Sequence, residues 1–171
     1  MSTLISAIGW IHIAASSFSM LIGAIILFRT KGTMSHRRQG RWYFYAMIVT
    51  NVTALMIYRT DVFFFPHWLA VATLAVIAVG YWVVTAKSIR SWLTVHLTCM
   101  IVSYYMLAGG AVNEAFLRIA ALKPYGFDNE TAMPHPAVGM VHSVVMLAFI
   151  ILLMVFLRRR KKWLPDQLTR H

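Results

Sequence analysis

A group of five basic residues between two long apolar runs constrains this chain more than any other feature. The group lies within residues 29–41 and consists of Arg29, Lys31, Arg37, Arg38 and Arg41. A short basic segment that links two membrane-crossing helices is typical of the cytoplasmic side of a membrane. Because the segment follows a single apolar run, we predict that the N-terminus lies outside, and every later helix takes its direction from this placement.

The composition indicates that lipid surrounds most of the protein. Of the 171 residues, 60% are hydrophobic and 12% are charged, and the mean hydropathy is +0.68. A water-soluble globular protein of this size needs more polar surface than these values allow. We therefore predict a single membrane domain over residues 1–171, in contact with the lipid bilayer.

The formal net charge of +11 has a topological explanation. Of the sixteen Lys and Arg residues, only Arg59, Arg118 and Lys123 fall in segments assigned to the outer side, so the other thirteen lie on the inner side. This asymmetry follows the positive-inside rule, and it accounts for the charge without a nucleic-acid partner.

The apolar runs predict an all-α membrane bundle of five transmembrane helices, with the N-terminus outside and the C-terminus in the cytoplasm. Four of the runs are long enough to cross a hydrocarbon layer of about 30 Å, and the second is slightly short, so that Arg59 at its end would extend to the membrane surface. The predicted location is the inner (plasma) membrane, as a multi-pass protein. The predicted helices cover residues 4–28, 42–58, 67–86, 92–112 and 136–157, with an outer loop at 113–135 and a basic cytoplasmic tail at 158–171.

Three of the predicted helices carry seams of small and polar residues spaced three or four apart. In lipid such seams identify the faces that pack against other helices. The seams contain His12 in the first helix, His96 in the fourth and His142 in the fifth. The rise of a helix places His12 and His142 at a similar depth, about 6–7 Å outside the midplane, and His96 about 15 Å further inward.

Two imidazoles at one depth on different helices are suited to binding a b-type haem. The iron requires a nitrogen donor on each face of the ring, and the propionates favour nearby positive charge. His12 and His142 are therefore candidate haem ligands, and Arg59 is a candidate propionate partner. The simpler interpretation is that both histidines form hydrogen bonds between helices, with Ser16, Ser143 or backbone carbonyls.

His36 and His96 form a second candidate pair on the inner side. They are interpreted as ligands of an inner haem or of a divalent metal ion. A histidine among arginines also fits a contact with lipid headgroups, so that alternative stays open for His36.

Other chemistry is weakly indicated or excluded. His67 and His135 are expected at the outer ends of helices, where Asp61, Glu114 or Asp128 could join them around a metal, although helix capping is the simpler role. No Asp or Glu lies in the middle of a predicted helix, which argues against a carboxylate proton relay, and no glycine-rich phosphate loop is present.

The chain resembles an uncharacterised bacterial family, the predicted membrane proteins of domain-of-unknown-function family 2306. The resemblance rests on His12 with Gly23, on Lys31-Gly32 followed by His36-Arg37-Arg38 and Gly40-Arg41, and on His96 with Met100, Ser103 and Tyr104 ahead of Arg118. It implies a small helical membrane domain with motif positions at His12, His36 and His96, and it implies no particular activity. The layout is also similar in outline to the small di-haem cytochromes b.

Three functional hypotheses follow. The first is a small haem b membrane protein that passes electrons between a quinone or another membrane redox partner and an acceptor at the outer side, as an oxidoreductase. The second is a non-enzymatic subunit or assembly factor of a larger membrane complex, or a homo-oligomer, in which the histidines hold helices together. The third is a metal-dependent membrane enzyme.

Overall fold

The computed structural model describes residues 2–57, 65–127 and 133–159. Within these ranges the chain is helical, with a single isolated β-bridge between Phe127 and Pro134. The helices are α1 (Ser2–Phe28), α2 (Met34–Met56), α3 (Phe65–Ala86), α4 (Trp92–Arg118) and α5 (Pro136–Arg159), and a 3₁₀ turn covers Lys123–Tyr125. By length and composition, α1, α3, α4 and α5 each contain a stretch able to cross a membrane.

Helix α2 begins eight residues before the predicted start at Trp42, so most of the expected basic loop is helical. Gly32 adopts a positive φ of 79° in the turn, and Thr33 then caps the helix. The Oγ1 of Thr33 accepts a hydrogen bond from the backbone N–H of His36 at 3.1 Å. Capping by Thr and the good helix propensity of Arg and Gln explain why the helix starts this early. These polar first turns also explain why α2 is not among the four apolar stretches.

Helix α4 also runs further than the predicted end at residue 112, reaching Arg118. An ion pair between Glu114 and Arg118, one turn apart, supports this extension. The segment assigned to the outer loop therefore begins with more than one turn of α4.

Four helices form a ring around the core. The principal contacts run from α1 to α2, from α2 to α3 and from α3 to α4, and a smaller contact between α4 and α1 closes the ring. Each helix contributes to one buried cluster, which consists of Ile22, Tyr43, Met47, Ile77 and Leu107. Helices α2 and α4 therefore lie across the ring from each other.

Helix α5 lies outside this ring and packs on α4. The ring of Phe149 contacts the rings of Tyr104 and Tyr105, each at a centroid distance of 5.7 Å. The side of α5 away from α4 exposes large apolar side chains, among them Met140, Val144, Leu147 and Ile151. An apolar outer surface of this kind matches lipid as the surrounding solvent.

The two ends of the bundle differ in charge. We call the end that contains Lys31, Lys87 and Arg158 the basic end. The opposite end contains Arg118 and the start of α5.

Candidate functional site

His96 lies in the second turn of α4, near the basic end, and its ring is fixed by a neighbouring backbone. Its Nδ1 lies 2.8 Å from the carbonyl oxygen of Gly80 in α3. Because a carbonyl can only accept, Nδ1 carries the hydrogen and Nε2 keeps a free lone pair. Gly80 permits this contact, since a Cβ at that position would lie only 2.8 Å from the Cβ of Cys99. Because Gly80 has no side chain, the backbone of α3 lies directly against α4.

His36 lies in the polar first turn of α2, ahead of the apolar part of that helix. Its Nδ1 is buried and has no hydrogen-bond partner. Burial, together with the charges of Lys31, His96 and Arg37, lowers the pKa of His36 to about 4. His36 is therefore neutral at pH 7 and close enough to His96 for the two rings to interact electrostatically. The sequence suggested these two histidines as a pair on the inner side, and a ligand shared by them stays a prediction.

Gln39 adds a third polar side chain to this region. Its Oε1 is buried without a hydrogen-bond partner, one turn after His36 on the same helix. A buried polar atom without a partner costs about 1–3 kcal/mol, so a further polar group that bonded to these two atoms would stabilise this region. We refer to His36, Gln39 and His96 as the basic-end cluster.

Lys31 closes the cluster on the side of α1 and α5. Its Nζ donates hydrogen bonds to the carbonyl oxygens of Ile26, Leu27 and Arg29, and it lies 4.9 Å from the ring centroid of Phe156. Burial lowers the pKa of Lys31 to about 8. The ammonium group caps the last turn of α1, where unpaired carbonyls favour a cation.

Two tyrosines next to the basic-end cluster, on the side away from the basic end, connect α1, α2 and α4 through hydrogen bonds. The hydroxyl groups of Tyr43 and Ser103 are 3.0 Å apart, and Ser103 Oγ donates to the carbonyl oxygen of Met100. Tyr43 therefore donates to Ser103 and joins α2 to α4 across the ring. The hydroxyl of Tyr104 donates to the carbonyl oxygen of Met20 in α1 at 3.0 Å. These bonds hold the helices that carry the two histidines.

His12 lies between α1 and α2. Its Nδ1–H donates to the carbonyl oxygen of Thr50 at 3.0 Å and to the Oγ1 of Thr53 at 3.1 Å. The hydroxyl of Thr53 in turn donates to the carbonyl oxygen of Val49. His12 therefore forms the kind of inter-helix hydrogen bond that the simpler interpretation expected, although with α2 residues that the sequence did not single out.

His142 lies between α5 and α4. Its Nε2–H donates to the Oδ1 of Asn113 at 2.8 Å, and its Cε1 would lie 3.4 Å from a Cβ at Gly109. His12 and His142 therefore bond to different helices. Among the described residues, α1 and α5 are not a pair of helices in extensive contact. A ligand shared by these two histidines stays a prediction.

The other residues singled out in the sequence take separate positions. Arg59, Asp61 and Asp128 lie outside the described residues. His67 is buried in the first turn of α3, and His135 accepts a hydrogen bond from the N–H of Ala137 at 3.1 Å. Over residues 2–57, 65–127 and 133–159, no group of three or more His, Cys, Asp or Glu side chains is arranged to hold a metal ion.

Comparison with known proteins identifies the family. Residues 9–156, most of the chain, match the model of the predicted membrane protein family DUF2306. No curated protein and no solved structure matches the chain. The resemblance drawn from the motifs at His12, His36 and His96 is thereby confirmed at the level of the family. The chain belongs to the predicted membrane protein family DUF2306.

Proposed function

We propose that this protein is a small membrane redox protein that binds a b-type haem through His36 and His96. One observation carries the proposal: Nδ1 of His36 in α2 is buried without a hydrogen-bond partner, within electrostatic range of His96 in α4. In both rings a neutral nitrogen lone pair is the donor that haem iron requires. The quinone or other membrane partner expected from the sequence would exchange electrons with this centre.

The donor set favours haem over a bare divalent ion. Structural zinc sites use four protein ligands, and catalytic sites use three, whereas haem supplies four nitrogens itself and needs only two histidines. The hydrogen bond from His96 Nδ1 to Gly80 is of the type that orients metal-bound histidines through their second nitrogen. Positive side chains such as Arg37 lie nearby and would favour the propionates.

The proposed topology has five membrane crossings, with α2 crossing from Trp42 onward. The N-terminus is outside and the C-terminus is in the cytoplasm, because thirteen of sixteen basic residues belong to the basic end or the tail. This orientation places the basic-end cluster close to the cytoplasmic surface of the inner membrane. An acceptor at the outer side would require a second centre, for which His12 and His142 are the proposed ligands.

A difference spectrum tests the haem. The protein is produced with ample haem, purified, and recorded before and after dithionite, together with His36→Ala, His96→Ala, His12→Ala and His142→Ala. We expect a reducible Soret band from which the contribution of the His36–His96 haem is lost in the first two variants and kept in the last two, which lose only the contribution of a second haem. Loss of the Soret band only in the His12 and His142 variants would assign the haem to the outer pair. A folded, colourless protein would reject haem binding, and metal analysis of that sample would then test for a bound ion.

A second function is favoured by the bonds of His12 and His142. Each of these histidines donates to a neighbouring helix, as expected for a subunit whose polar groups hold helices together. In that case the protein would carry no cofactor and would co-purify with a larger complex in mild detergent. A monodisperse protein with a bound cofactor argues against this reading.

A further inference from the structure

We propose that the first turns of α2 form a binding surface for the headgroups of anionic phospholipids. The surface consists of Arg37, Arg38 and Arg41, which we call the arginine ridge. The sequence predicts a loop at these residues. In the structure they are helical, and all three are exposed. Arg37 and Arg41 are one turn apart, so they lie on the same face.

The positions of these arginines are electrostatically unfavourable for the helix alone. The partial positive charge at the N-terminus of α2 disfavours a cation at Arg37, the fourth residue of the helix, and the like charges of Arg37 and Arg41, one turn apart, repel each other. The first turn of α2 contains no acidic residue that would compensate. A negatively charged group supplied from outside the chain removes both penalties.

No side chain of the described residues can supply that charge. The single acidic residue in residues 2–57, 65–127 and 133–159 is Glu114, which lies at the opposite end and pairs with Arg118. Other cations at the basic end, among them Arg29 and Arg90, are exposed as well. Within residues 2–57, 65–127 and 133–159, the chain therefore supplies no counter-charge at this end.

The chemistry of the ridge fits a lipid phosphate. The guanidinium group of Arg presents paired donors that match phosphate oxygens, and the anionic lipids of a leaflet attract each nearby Lys or Arg. Gly40, between Arg37 and Arg41, has open space where a Cβ would be, so a headgroup can approach the helix closely there. Trp42 follows directly and is half exposed, which suits the boundary between headgroups and acyl chains. Lys31 takes no part, because three carbonyls hold its Nζ.

Lipid retention measured by native mass spectrometry tests this surface. The full chain is reconstituted in bilayers of phosphatidylcholine with added phosphatidylglycerol, and the ratio of the two lipids bound per protein is compared between variants. Neutralising the ridge in R37Q/R38Q/R41Q is expected to reduce the enrichment of phosphatidylglycerol by about tenfold. The triple variant K87Q/R90Q/R159Q loses the same charge at the same end, and it should keep most of the phosphatidylglycerol enrichment. Arginine-to-lysine replacement at the three ridge positions should retain part of the enrichment.

Several results would overturn the proposal. Equal losses in the two glutamine variants would mean that the whole basic end, and not the ridge, attracts the lipid. Unchanged enrichment in R37Q/R38Q/R41Q would leave the arginines as topological signals only. No enrichment in the native chain, with an acidic protein bound instead, would assign the ridge to a protein partner. Cysteine labelling of both membrane sides checks that each variant keeps the native orientation, and the outcome does not depend on haem binding.

Discussion

The Nδ1–H of His96 in α4 donates to the carbonyl oxygen of Gly80 in α3 at 2.8 Å. The same glycine brings the two backbones together, because a Cβ there would contact Cys99 at 2.8 Å and also meet the methyl group of Met100. One small residue thus determines both the approach of α3 to α4 and the tautomer of His96. The proposed ligand nitrogen, Nε2, is available only because Nδ1 has this partner.

Replacement of Gly80 should therefore destabilise the bundle. We expect Gly80→Ala to lower the free energy of unfolding by about 1–3 kcal/mol, because the Cβ of Cys99 is bonded directly to the backbone of α4 and no side-chain rotation can move it. Thermal unfolding in detergent measures the change. Gly110→Ala is the control, since nothing lies within 4 Å of a Cβ at Gly110, and a gain in helix propensity of up to about 1 kcal/mol is expected. Similar destabilisation by both variants would contradict the close approach at Gly80.

Tyr43 and Ser103 should be energetically coupled across the ring, because their hydroxyl groups share a hydrogen bond. A double-mutant cycle with Tyr43→Phe and Ser103→Ala is expected to give a coupling energy of about 0.6 kcal/mol, the typical value for such bonds between membrane helices. Reversible unfolding in mixed micelles provides the four stabilities. Tyr105→Phe, whose ring faces Phe149 in α5, should combine additively with Ser103→Ala. Zero coupling for Tyr43 and Ser103 would show that the bond contributes nothing.

His36 should make the stability depend on pH. Its folded-state pKa of about 4 lies below the value of 6.5 for a free imidazole, so the unfolded chain binds a proton more readily in this range. The stabilisation of the folded state that His36 provides is complete above pH 6.5 and is lost as the pH falls toward 4. After discounting for the solvent that still reaches the ring, we expect a loss of roughly 1–2 kcal/mol.

Melting temperatures of the native chain and of His36→Gln between pH 7 and pH 4 measure this effect. The variant should lose less stability over the range, because glutamine does not titrate. His135→Gln is the matched control, since His135 is exposed at the opposite end. If native chain and His36→Gln respond to acid alike, His36 is not buried as described.

Lys31 should stabilise the end of α1. Lys31→Met keeps the length of the side chain but removes the donor to the carbonyls of Ile26, Leu27 and Arg29. We expect a loss of about 1–2 kcal/mol, in the range for cations that pair with the end of a helix. Hydrogen exchange should increase in the last turn of α1, whereas Lys87→Met, which removes an exposed ammonium 5.5 Å from the Trp92 ring, should leave that turn unchanged. Equal exchange in both variants would show that Lys31 does not cap the helix.

Part of the site could be predicted from residue spacing. The intervals of three and four residues around His96 placed it on an inward seam. The positions of His36 and His96 relative to the basic residues suggested one inner pair, whose two members lie within electrostatic range of each other. The partner of His96 could not be predicted, because a backbone carbonyl of another helix has no signature in the sequence. Gln39 was missed for a different reason: it was assigned to a loop, where an amide side chain is usually solvated.

The sequence by itself determined the helical membrane character and the concentration of basic residues at one end of the bundle. Apolar runs without Asp or Glu have one stable solution in lipid, a helix that satisfies its own backbone groups. The tertiary structure decided which helices are neighbours, so that His12 bonds to α2, His142 bonds to α4, and α5 stays outside the ring. Hydrophobicity does not select these pairings, because lipid chains are as apolar as the helix faces and only close packing and polar contacts distinguish one neighbour from another.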